Sequence, residues 1–149
     1  MFFSEYQHSI DLKNRMIIPS KYRAELGDRF IMTRGFQRCL YLFTVTDWEA
    51  FYEKALVIPM SDEQGQRFSR LFFSSAFEGE QDANGRVLIP AKLREYAELT
   101  KEIVSIGVMN RIEIWNKDIW QRYCGEPGSV QPPPFFGGEI LDKIARLGI

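Results

Sequence analysis

The side chains with chemistry to offer fall in two short strings. Residues 11–23 read DLKNRMIIPSKYR, and residues 82–94 read DANGRVLIPAKLR. Each sets an aspartate four residues before an arginine: Asp11 before Arg15, and Asp82 before Arg86. An aspartate that opens a tight turn can accept amide hydrogens from two residues on. The arginine leaves the turn on the next strand, within reach of a bidentate pair with that carboxylate. Two readings are then open. The pair is an internal device that only fixes the turn, or it holds a planar donor fork toward a phosphate or a guanine edge.

Charge bears on that choice. The chain has a net charge of −1, which by itself argues against a nucleic-acid binder. The distribution is uneven. The first string holds Lys13, Arg15, Lys21 and Arg23 against Asp11, a net of +3. The second holds Arg86, Lys92 and Arg94 against Asp82, a net of +2, so the other 123 residues sum to −6. Arg29, Arg34 and Arg38 add positive charge to the first half. Phosphate binding needs only a local basic island. On charge alone, ordinary solvated faces remain the plain alternative.

Other chemistry is thinly supported. His8 is the single histidine, and Cys39 and Cys124 have no CxxC partners, so no metal site is expected. GxSxG, GxGxxG and Walker A strings are missing. Asp11 and Asp82 could form a carboxylate pair for acid–base work, but their arginine neighbours should keep both ionised. The expectation is no enzyme and no cofactor. No run approaches 18 apolar residues, and the start, MFFSEYQHSID, lacks a basic n-region. A cytoplasmic protein without a membrane partner is expected, its two cysteines kept reduced.

The elements that must position these residues are duplicated. Six of thirteen positions agree between the strings: Asp11/Asp82, Arg15/Arg86, Ile18/Ile89, Pro19/Pro90, Lys21/Lys92 and Arg23/Arg94. Farther on, Gly35 matches Gly107 and Trp48 matches Trp120. Two copies of a unit of about 45 residues span 7–52 and 78–123. Such a unit is too small to bury a core alone, so the copies should pack as a pseudo-dimer. In each, an alternating strand leads to the turn, where Asn14 and Gly85 both tolerate positive φ. A short strand follows, over 15–18 or 86–89. Pro19 or Pro90 then suits the first turn of a helix over 20–26 or 91–99. Two more strands lead to a last helix, capped by Asp47 or Asn116.

Between the copies, Ser61 and Gln64 form a capping-box pattern for a helix over 62–73. Phe72 and Phe73 there face the fold or a neighbouring subunit. The stretch GEPGSVQPPPFFGG reads as a flexible, partly polyproline lead to a short amphipathic helix over 139–147.

The paired strings, with both IP-x-K-x-R continuations, resemble the MraZ family, and the likeness covers residues 1–124. The resemblance implies an α+β fold, an intrachain-duplicated swapped-hairpin β-barrel of the AbrB/SpoVT type with short flanking helices. It implies one repeat over 1–56, a connecting helix over 57–76, a second repeat over 77–124 and a tail over 125–149. It also implies a cytoplasmic, nucleoid-associated repressor that binds double-stranded DNA at direct repeats upstream of the division and cell-wall gene cluster. The family's habit of forming rings implies a homo-oligomer. An antitoxin-like or structural module holding a protein partner on the same fold is the alternative. The DNA-contacting residues are then Lys13, Arg15 and Arg86, with Lys21, Arg23, Lys92 and Arg94 touching phosphates or bracing the barrel. Asp11, Asn14, Asp82 and Gly85 shape the turns. Asn14 stands where the family commonly has glycine, and Asn84 stands where the first copy has Lys13.

Overall fold

The computed structural model describes residues 1–59 and 61–125. The first copy runs β1 (Glu5–Ser9), β2 (Arg15–Ile17), α1 (Ser20–Leu26), β3 (Arg29–Arg34), β4 (Leu40–Thr44) and α2 (Val45–Ala55). After α3 (Glu63–Ser75), the same order returns as β5 (Phe77–Glu80), β6 (Arg86–Leu88), α4 (Ala91–Tyr96), β7 (Glu102–Val108), β8 (Arg111–Asn116) and α5 (Lys117–Cys124). Met1–Asn116 form one compact unit holding the eight strands of the described residues; α5 belongs to a second unit, in which the Trp120 and Tyr123 rings stack at 5.9 Å.

Six strands make one antiparallel sheet in the order β1-β7-β8-β4-β3-β5. Each copy's first strand pairs with the third strand of the other copy: β1 with β7 and β5 with β3. The copies meet at the centre, where β4 pairs with β8 and Tyr41 lies opposite its counterpart Glu113. β2 and β6 form a separate two-stranded ribbon.

The expected swapped-hairpin β-barrel does not form. The large sheet is open, with β1 and β5 as its edges. Each ribbon strand has three residues and is followed within two residues by Pro19 or Pro90. Proline has no N–H, so neither strand extends far enough to bridge one edge to the other. The edges are short and carry exposed Glu5, Glu78 and Glu80, a common way of protecting an unpaired strand.

β3 and β4 are buried along most of their length, because both faces of the sheet are covered here. Phe30, Met32, Leu40 and Leu42 face a core shared with Met16, Ile18, Tyr22, Val87, Ile89 and Leu93. Both copies therefore contribute to one core, and both ribbon strands are anchored in it. On the opposite face Phe43 packs against Trp48 and Phe51 of α2, and Phe51 lies 5.0 Å from Phe72 of α3. Phe72 is 4% exposed, a burial that stabilises by about 2–3 kcal/mol. Phe73 packs on Trp48 and Tyr52, so both rings of that pair are engaged within the chain.

Caps differ in detail from expectation. Asp62, not Ser61, caps α3 by accepting from the amides of Gln64 and Gly65. Thr44 caps α2 through the amide of Asp47. In both cases a side-chain oxygen one or more residues before or after the expected one accepts the first-turn amides. Asn116 donates its side-chain amide to the carbonyl of Glu98. Pro19 and Pro90 stand just before α1 and α4. The helix expected over 139–147 and the pair Phe135 and Phe136 lie outside the described residues. Among those described, no helix is long and apolar enough to cross a membrane, and no His/Cys/Asp/Glu group could hold a metal.

Candidate nucleic-acid interface

The two DxxxR strings come together at the ribbon. Asp11 Oδ1 accepts from the amides of Lys13 (2.8 Å) and Arg15 (2.9 Å). Asp82 Oδ1 accepts from the amides of Asn84 (2.8 Å) and Arg86 (2.9 Å). The turn closes at its backbone too, with Asn14 N–H donating to Asp11 O and Gly85 N–H to Asp82 O. Asn14 and Gly85 take left-handed conformations, φ 61° and 75°, which Asn and Gly adopt at the least cost. Two sequences with different middle residues thus build one turn, because only the aspartate and the left-handed position are constrained.

The arginines differ. Arg15 Nε donates to Asp11 Oδ2 at 3.2 Å, a single contact and not the bidentate pair the spacing allows. Arg86 is tied to Asp82 through its backbone amide and its charge. Both carboxyls are held below the ordinary value of 3.8. For Asp11 the chief cause is the Arg15 amide, opposed by partial desolvation and helped by the Lys13 amide and the Arg15 charge. For Asp82 the chief cause is the Arg86 amide, and the charge of Arg15 from the other copy adds to it.

Across the ribbon Arg15 lies opposite Leu88, Met16 opposite Val87, and Ile17 opposite Arg86. Met16 and Val87 are counterparts in the repeat, so a pseudo-twofold axis passes through their pair. Their side chains point into the core, at 0% and 1% exposed. Alternation along a strand then places Arg15, Ile17, Arg86 and Leu88 together on the outer face. Two arginines lie on one diagonal and two aliphatic residues on the other. Ladder bonds from Ile18 N–H to Gly85 O and from Ile89 N–H to Asn14 O tie each strand to the opposite turn.

Arg23 and Arg94 do not join that face. Arg23 Nε donates to Ile18 O at 2.8 Å, and Arg94 Nη1 donates to Ile89 O, the same contact in both copies. Each guanidinium satisfies the carbonyl preceding its proline. Arg23 also covers the second turn, since a Cβ on Gly85 would meet its Nε at 2.4 Å. Arg94 lines a cleft with Asp11 and Asn14 of the first turn. These two arginines brace the turns. Lys21 lies 4.2 Å from the centroid of the Phe3 ring. Lys13 and Lys92 are exposed, Lys13 on the first turn and Lys92 on α4.

Comparison with known proteins identifies the family. The chain matches the family described as "MraZ protein, putative antitoxin-like" over residues 1–71 and 72–129. It is 46% identical over 149 residues to the transcriptional regulator MraZ of Clostridium acetobutylicum, covering all of both chains. To that of Acetivibrio thermocellus it is 43% identical, again over the whole of both. To that of Carboxydothermus hydrogenoformans it is 47% identical over 124 residues, 83% of this chain and 87% of the relative. The chain belongs to the MraZ family. Its class is that of a MraZ-type transcriptional regulator, not of an enzyme.

In this MraZ chain the outer ribbon face also carries residues that sequence reasoning missed. Ile17 and Leu88 are 48% and 56% exposed, and Leu12 stands fully out of the first turn. The signal was available for the first two. In a three-residue strand the residue two after an outward arginine must itself face outward. It was overlooked because an aliphatic residue is ordinarily assigned to a core.

Proposed function

We propose that the chain is a sequence-specific repressor that reads double-stranded DNA with the outer face of the β2–β6 ribbon. One observation carries the reading: two arginines, each seated by its own Asp turn, stand on one exposed face related by a pseudo-twofold axis. A two-stranded ribbon fits the major groove, which is about 12 Å wide. With Nε engaged by Asp11, Arg15 keeps its terminal amino groups for an acceptor pair such as guanine O6 and N7. Ile17 and Leu88 supply apolar contact suited to thymine methyl groups. Lys13 and Lys92 contact phosphates, while Asp11, Asn14, Asp82 and Gly85 hold the turns. Arg23 and Arg94 are bracing residues whose charge still adds to the basic island.

The repeats over 1–56 and 77–124, joined by 57–76, act as one reading head, since each ribbon strand comes from a different copy. One ribbon binds weakly. Several ribbons on a ring of identical chains, meeting direct repeats, gain by effective concentration. The resemblance supports such repeats upstream of the division and cell-wall gene cluster, and a place on the nucleoid.

Mobility shifts on the DNA upstream of the protein's own gene, carrying one or three repeats, test the reading. Arg15→Ala should weaken operator binding by about 5–150-fold per engaged ribbon, the worth of one bidentate base contact. Arg86→Ala should cost less, because its fork is less firmly seated. Normal operator binding by the Arg15 variant refutes the assignment.

A further inference from the structure

At the end of β3, beside the turn that follows it and between α3 and α4, lies a cleft that the DNA reading does not use. It measures about 470 Å³ and is lined by Arg34, Phe36, Phe68, Leu71, Phe72 and Tyr96. That volume lies within the usual range for small-molecule sites, about 300–1,000 Å³. Its walls are aromatic: Phe36 lies 5.6 Å from Phe68 and 5.8 Å from Phe72, and Phe68 stacks on Phe72 at 5.3 Å. The Phe36 ring is 59% exposed and Leu71 45% exposed, so the apolar lining is open to solvent.

One group in this lining is out of balance. The Arg34 Nε is buried with no hydrogen-bond partner. Burying a donor without a partner is costly, and native structures seldom leave one so, the more so on a cation. Among the described residues, carboxylates engage Arg15, Arg29 and Arg111, but none pairs with Arg34. Its guanidinium lies over the Tyr96 ring at 5.2 Å, with Arg38 over the same ring at 5.1 Å. Tyr96 is itself fixed, its hydroxyl donating to the carbonyls of Gly35 and Gln37. The Arg34 amide donates to Ser75 Oγ, which fixes the backbone from which the guanidinium projects. A preorganised cation therefore stands at the edge of an apolar aromatic slot.

We propose that this cleft binds a small organic monocarboxylate with a planar or branched apolar body. The body lies against Phe36, Phe68 and Leu71. The carboxylate accepts from the Arg34 guanidinium, satisfying the orphaned donor, and Arg38, which lies over the same Tyr96 ring, adds charge. A neutral isostere fills the same slot but leaves Arg34 unanswered. The site is separate from the ribbon, and its test does not involve DNA.

Calorimetric titration of the full chain with 3-phenylpropanoate, and with 3-phenylpropanamide as the neutral match, tests the assignment. Saturable binding at one site per chain is expected for the carboxylate, with the amide at least about tenfold weaker. Arg34→Met should lose about tenfold for the carboxylate and leave the weak amide binding unchanged. Replacing a buried unpaired donor by an apolar side chain of similar length should leave the melting temperature unchanged or raise it, so the variant is expected to fold. Leu71→Glu, a partly exposed change that sets an anion in the slot, should abolish carboxylate binding with an unchanged circular dichroism spectrum. Equal affinity for acid and amide, undiminished binding by Arg34→Met, or no carboxylate binding up to about 5 mM overturns the proposal; a site weaker than that is too poor to be one.

Discussion

Gly85 is the point at which one copy's brace meets the other copy's turn, so Gly85→Ala tests the pseudo-symmetric design directly. Three contributions set the size of the effect. Alanine at φ 75° costs about 1–2 kcal/mol in the left-handed region. Its Cβ would stand 2.4 Å from Arg23 Nε, 2.8 Å from Cζ and 2.9 Å from Cδ, so the guanidinium must leave. Arg23 then gives up its 2.8 Å bond to Ile18 O. A charged hydrogen bond contributes about 1.5–3 kcal/mol. Arg23 is only half-buried and water can replace part of the bond, so about 1 kcal/mol is a fairer figure. Lower chain entropy in the unfolded state returns about 0.4–1 kcal/mol. The net loss is about 2 kcal/mol, a fall in melting temperature of roughly 4–8 °C for a chain of this size. Urea and thermal unfolding followed by circular dichroism measure it. A double-mutant cycle with Arg23→Ala separates the causes: there the steric part vanishes and about 1 kcal/mol of backbone cost remains. The mirror change Asn14→Gly should shift stability by less than about 0.5 kcal/mol, since both residues accept that conformation. Unchanged stability in Gly85→Ala, or the same full loss with Arg23 already removed, refutes the reasoning.

Asp11→Asn removes an anion from the basic island and frees the Arg15 fork. Binding to random duplex should tighten while binding to operator weakens, so the specificity ratio in a competition shift falls from both sides. His8 is pushed below its ordinary value of 6.5 by burial, and its Nε2 is paired with Ser105 Oγ. The folded state thus prefers the neutral ring, and stability should be complete above pH 6.5 and decline as pH falls toward the lowered folded value. His8→Gln should flatten that decline in chemical denaturation curves across the range. Cys39 is fully buried, and burial, aided by the Glu113 charge, pushes its thiol well up. Its alkylation by iodoacetamide should be slower by an order of magnitude or more in the native protein than in urea, measured by peptide mass spectrometry.

Local chemistry was legible in the chain. An aspartate two residues before an amide, a residue tolerant of positive φ, and an arginine on the next strand determine the turn wherever they occur, so DLKN and DANG give the same geometry from different letters. The internal repeat announced itself because the same turn, proline and helix recur in one register. The family followed from those strings. Non-local facts were not legible. Whether a sheet closes depends on which strand edges meet, and neither β1 nor β5 carries a local mark of its partner. The open sheet therefore replaced the expected barrel. The role of Arg23 and Arg94 was undecidable for a similar reason: a guanidinium donates equally well to a phosphate or to a peptide carbonyl, and only folding brought the Ile18 and Ile89 carbonyls within reach. The Arg34 cleft arises where β3, the turn after it, α3 and α4 converge from three separated stretches of chain. No spacing along the sequence encodes a cavity, because a cavity is the space that packing leaves between segments.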